Sequence, residues 1–158
     1  MSSTENTPAV APFVHLRSHS EYSVVDGITR ISVMVDKAVQ YQQPALAITD
    51  LANLFGLVKF YKATRKAGIK PIVGVDIWLE NEADRNKPHR ALLLAENYDG
   101  YLAICRLISQ AWLDNQYRGR GEVKKQWLLA EDNLIVLSGG RLGDIGQALL
   151  TGNAAQAK

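Results

Sequence analysis

Ala45-Leu46-Ala47-Ile48-Thr49-Asp50 is a short unbroken apolar run that stops at two polar side chains. A strand buried on both faces has this pattern, because neither face alternates to polar residues, and such strands belong to sheets covered by helices. Thr49 and Asp50 then mark the carboxyl end of the strand, where α/β sheets carry their functional groups.

Working outward, Ile31, Met34, Val35, Ala38 and Val39 recur at helical spacing upstream, and that helix should end near Gln43, before Pro44. Downstream, Asn53 is placed to cap a second helix from about Leu54, with Leu54, Leu57, Val58 and Tyr61 as its stripe and Gly68 just past its end. Ile69 to Leu79 reads as a strand whose apolar interior is interrupted by Asp76, and Arg90 to Ala95 as another, with His89 at its entrance. Glu80 to Pro88 between them is polar and reads as a loop. A helix from Tyr98 to Trp112 would pack through Tyr101, Ile104, Cys105, Ile108 and Trp112, with Asp99 complementing its dipole. Asn133 to Ser138 gives a further strand, and Ile145 to Leu150 a short helix. This alternation indicates an α/β domain on a largely parallel sheet.

Before the first helix stands His15-Leu-Arg17-Ser-His19-Ser-Glu-Tyr22-Ser-Val-Val-Asp26-Gly27. If Phe13 to His19 is extended, His15, Arg17 and His19 project to one side. Two imidazoles on one face would begin a metal site, but the side chain between them is a guanidinium, always protonated and without a lone pair for a cation. His19, Asp50 and Asp76 each fall at or near the end of a strand, which suggests one shared site. Asp26 reads as a turn residue, Tyr22 and Tyr61 as packing, and Trp78 as core or interface.

Composition narrows the classes. The 158 residues are 47% apolar and 22% charged with a net charge of +2, which suits one soluble domain and points to no nucleic-acid partner by charge alone. Residues 1–12 read as a flexible leader without the basic flank and apolar core of a secretory signal, and no run is long enough to span a bilayer. Cys105 is the single cysteine, expected as a buried hydrophobe, so no disulfide forms within the chain and a reducing cytoplasm fits. The basic stretch Tyr117 to Lys125 is read as a solvated loop in preference to a DNA contact through Arg118, Arg120, Lys124 and Lys125. Gly139-Gly140 matches no defined phosphate loop.

Three ordered motifs carry a resemblance: His15 to Gly27; Ala47-Ile-Thr-Asp50-Leu-Ala-Asn-Leu-Phe-Gly56-Leu-Val-Lys-Phe-Tyr61; and Gly68-Ile-Lys-Pro-Ile-Val-Gly-Val-Asp76. They resemble the polymerase and histidinol phosphatase (PHP) domain in the version that opens bacterial DNA polymerase III alpha subunits. His89 to Tyr101 and Leu137 to Asp144 extend the likeness to roughly residues 13–153. It implies a distorted (β/α) barrel, here partial, in which residues 13–158 form the amino-terminal part of a longer domain.

The resemblance also implies a site in which histidines and carboxylates hold metal ions for phosphoester hydrolysis. His15, His19, Asp50 and Asp76 fall on its ligand positions, whereas Arg17 stands where a histidine of the His-x-His pair is expected, and Leu51 where another is expected. Asp76 replaces a glutamate. A degenerate site is therefore expected, without catalytic residues or cofactor, with Arg17 in the cation's place and paired to Asp50 or Asp76. Its role would be structural, docking other polymerase III holoenzyme subunits, above all the proofreading exonuclease, with DNA reached through the full-length polymerase. The alternative is an active phosphoesterase or 3′–5′ exonuclease using zinc or manganese. An incomplete barrel would also leave open strand edges and favour self-association.

Overall fold

The protein is described from a computed structural model covering residues 13–155 and 157, so the expected leader at 1–12 lies outside the described residues. Its elements run α1 (Ile31–Gln40), β1 (Ala45–Ile48), α2 (Leu57–Lys66), β2 (Lys70–Leu79), β3 (His89–Ala95), α3 (Tyr98–Asp114), β4 (Gln116–Tyr117), β5 (Arg120–Val123), α4 (Lys125–Leu128), β6 (Leu134–Ser138) and α5 (Asp144–Leu150). No helix among the described residues is long and apolar enough to cross a membrane.

β2 organises the sheet because its length lets it pair with three strands. On one edge its first half runs parallel to β1, from Ala45↔Lys70 to Ile48↔Val73, and its last two residues run parallel to β5. On the other edge it is antiparallel to β3, which is antiparallel to β6. The sheet is thus open and mixed, not largely parallel. The helix-free loop 80–88 is the reason: without a crossover helix the chain cannot return to the starting end of β2, so β3 must run back alongside it. The first strand is also reduced, to a single parallel bridge between His15 and Leu46, with Ala47 and Thr49 amides donating to the carbonyls of His15 and Ser18.

Two apolar layers hold this sheet. α3 lays Ile104, Leu107 and Ala111 on Val75, Ile77 and Leu93 of one face, while α1 and α2 close on β1 through Ile31, Val35, Leu46, Ile48 and Phe60. α3 is capped by Asn97, whose side chain accepts from the Gly100 amide. Cys105 is only half-buried on it, because the helix turns Ile104 and Leu107 to the sheet.

α2 begins three residues later than expected, since Asn53 does not cap it. The Asn53 side chain instead accepts from the Phe55 amide and donates to the carbonyls of Tyr22 and Leu51, tying down the turn before the helix. With that phase, Phe60 and Thr64 are buried while Val58 and Tyr61 stay exposed. The basic stretch expected as a solvated loop is mostly a β4–β5 hairpin, with Val123 in the core and Glu122 fully buried.

Candidate functional site

Asp76 is the seventh residue of β2, placed inside the strand and not at its end. It nevertheless emerges beyond the carboxyl end of β1. β1 stops at Ile48, opposite Val73, and the chain continues beside β2 through a single bridge between Leu51 and Asp76. The Asp76 carbonyl accepts from the Ala52 amide at 2.8 Å, and Ala52 takes a left-handed φ of 53° there. Its own carbonyl accepts from Trp112 Nε1 at 2.8 Å, so the strained turn is fixed from both sides. Since Val75 and Ile77 face α3, Asp76 projects from the opposite face, and it is 1% exposed.

Its carboxylate gathers three cationic side chains. Arg17 Nε lies 2.8 Å from Oδ2, Arg90 places Nε 3.0 Å from Oδ1 and Nη2 2.9 Å from Oδ2, and His19 Nε2 is 3.1 Å from Oδ2. Of the two carboxylates anticipated as partners for Arg17, it is Asp76 that receives it. Burial alone would push the Asp76 carboxyl up, but hydrogen bonds from His19 and Arg90, and the charges of Arg90 and Arg17, hold it well below the ordinary carboxylate range.

The other ring nitrogen of His19 is 2.8 Å from Asp26 Oδ1, which also accepts from Ser23 Oγ at 2.7 Å. An imidazole with a carboxylate oxygen on each nitrogen is best satisfied when both nitrogens carry protons. The His19 pKa is raised accordingly, first by the Asp76 hydrogen bond and against the effect of burial. Arg90 Nη2 also approaches Asp26 Oδ2, at 3.4 Å. Its guanidinium lies 4.4 Å from the centre of the Trp78 ring, so Trp78 serves as a wall of the site.

Asp50 is buried close by but turned elsewhere, accepting from the Ser20 amide at 2.6 Å and from Ser20 Oγ at 2.8 Å. Burial pushes its carboxyl pKa up. Leu51 is buried with its amide on Ser23 Oγ. His15 stands apart, exposed, with its ring edge-on to Phe13. The structure therefore joins Arg17, His19 and Asp76, keeps Asp50 and Leu51 beside them, and leaves His15 out. Among the described residues no three His, Cys, Asp or Glu side chains form a group able to hold a metal ion.

Arg90 and Asp26 were not anticipated. A signal for Arg90 was present, a guanidinium heading the run Ala-Leu-Leu-Leu-Ala, where a buried charge requires a partner. Asp26 was hidden by its place before Gly27, which reads as a turn.

A second charged cluster lies at the other end of β2. Glu122 accepts from Arg85 at 3.0 Å and from Arg120 at 3.0 Å, and Arg85 also donates to Asn115, which tethers loop 80–88 to the hairpin. Arg120 is therefore neutralised within the fold, and Lys125 pairs with Asp144. Only Arg118 and Lys124 of that basic stretch lack an acidic partner among the described residues.

The model of the PHP domain matches residues 15–158. The chain is 44% identical over 149 residues to a DNA polymerase III subunit alpha from Pseudomonas fluorescens, covering 94% of this chain and 13% of that protein. It is 45% identical over 144 residues to the Escherichia coli K12 subunit, covering 90% and 12%. The chain thus spans about an eighth of the length of these relatives. An amidohydrolase from Chromobacterium violaceum aligns with 62% of this chain and 32% of its own, at a TM-score of 0.46 and 19% identity. With the family model matched from His15 to the last residue, this chain belongs to the PHP domain family.

Proposed function

We propose that the chain is the amino-terminal PHP portion of a replicative DNA polymerase III alpha subunit, part of a distorted (β/α) barrel, acting in the cytoplasm as a structural module. In this reading it docks other holoenzyme subunits, the proofreading exonuclease foremost, and reaches DNA only through the full-length polymerase. Identity above 40% over nine-tenths of the chain supports the assignment.

One observation carries the non-catalytic reading: both oxygens of Asp76 accept from guanidinium groups. A divalent ion needs those lone pairs, and two fixed positive charges within hydrogen-bond distance oppose it. Leu51 contributes only apolar surface at the position where the family resemblance calls for histidine. The donor set does not fit zinc or manganese, and no hydrolytic step is derived through either.

The test is calorimetric titration of zinc and manganese into the chain and into an Arg17→His, Leu51→His double variant. No binding by the parent, with affinity regained in the variant, is the expected result. Stoichiometric tight binding by the parent would put the metal-dependent phosphoesterase or 3′–5′ exonuclease reading in front.

A further inference from the structure

β6, Leu134-Ile135-Val136-Leu137-Ser138, is the last strand of its sheet and pairs only with β3. The Glu96 amide donates to the Asn133 carbonyl at 3.0 Å, which fixes the phase of the antiparallel ladder. Residues 133, 135 and 137 bond inward to β3, so 134, 136 and 138 turn their amides and carbonyls to the free edge. Edge strands in stable monomers are blunted by lysine, proline or a bulge. β6 has no charged residue or proline, and its register with β3 is unbroken.

The surface beside this edge is also apolar. Ile135 and Leu137 line a groove of about 900 Å³ with Val58, Tyr61, Leu94 and Tyr98. Ile135 is 45% exposed and Val136, on the α3 side, is 52% exposed. Together with Leu16, Val58, Tyr61 and Tyr98, these side chains offer roughly 100 Å² each, and with the strand backbone they approach the ~800 Å² per partner of a standard stable interface.

We infer that β6 pairs with β6 of a second copy of this chain, antiparallel about a two-fold axis at Val136. This register matches the free hydrogen-bonding groups. Val136 amides and carbonyls exchange across the axis, and Leu134 exchanges with Ser138 of the partner copy on either side. It is also self-complementary, as a two-fold interface must be. Ile135 of one copy sits opposite Leu137 of the other on the groove face, and the two grooves join into one apolar trough.

Sedimentation of the 158-residue chain across a concentration series tests the pairing. The expected mass is that of a dimer, and Val136→Lys, which sets two like charges opposite each other at the axis, weakens association at least tenfold. Circular dichroism checks that this variant is folded. A monomer at every concentration, or a dimer indifferent to Val136→Lys, would overturn the inference. The register is read separately with Ile135→Cys and Leu137→Cys, each with Cys105→Ser. These positions form a non-hydrogen-bonded pair with Cα atoms about 4.5 Å apart, within reach of a disulfide. Oxidation should cross-link the two variants when mixed and neither alone. Cross-linking of Ile135→Cys with itself, or none on mixing, would refute the arrangement even if Val136→Lys fails to fold.

Discussion

Arg90 meets Asp76 side-on across the β2–β3 pair, Nε to Oδ1 at 3.0 Å and Nη2 to Oδ2 at 2.9 Å, with both side chains almost wholly buried. Such a pair is weak as a net source of stability but costly to break from one side, because the surviving charge remains in a poorly solvated place. Arg90→Met should therefore lower the unfolding free energy by about 3 kcal/mol. Urea denaturation measures it. Adding Asp76→Asn should recover part of the loss, and a double variant as unstable as the sum of the singles would show that the two do not act as a pair.

His19 sets a pH dependence of the opposite sign to Asp76. Its pKa is raised above 6.5 in the fold, so its stabilisation is complete below 6.5 and fades as pH rises through the folded value. Asp76, held below its ordinary 3.8, contributes fully above 3.8 and is lost as pH falls further. Melting temperature should decline from pH 6 to 8, and His19→Gln should flatten that decline. Imidazole titration by NMR reads the same residue directly.

Glu122 is the anchor of loop 80–88. Glu122→Ala removes the acceptor shared by Arg85 and Arg120, and about 3 kcal/mol of stability should go with it. Amide exchange distinguishes this from a general loss: residues 81–87 should exchange faster at low denaturant than those of β1, which the network does not touch.

Gly100 stands in the first turn of α3, where a Cβ would lie 2.1 Å from the Asn133 carbonyl oxygen. The backbone must therefore yield, and Gly100→Ala should cost about 2 kcal/mol despite alanine's better helix propensity. A neutral or stabilising effect in thermal unfolding would contradict the close approach of α3 to residue 133.

The legible parts of the fold were those where local pattern and burial agree. Ala45 to Ile48 is a strand at the limits its four apolar residues suggest, and Lys70 to Leu79 with its interrupting Asp76 differs by one residue. The hairpin after α3 was missed because Glu122 is a charged residue buried by partners distant in sequence, and a glycine-flanked basic stretch shows none of them. Sheet direction was misread for a related reason. Apolar runs do not record which way a strand points, and only the absence of a helix in 80–88 carried that information. At the site, Arg17 announced itself by its chemistry, while Arg90 and Asp26 needed the sheet to bring them to Asp76.

All the side chains that meet Asp76 lie between Arg17 and Arg90, and the strand carrying the last of them follows directly on β2. A chain made from its amino terminus completes this charge cluster as soon as β3 leaves the ribosome, before α3 has been synthesised to cover the other face of the sheet. The cluster then offers the nascent sheet an electrostatic fastening between β2 and β3 during the interval in which their apolar face is still bare.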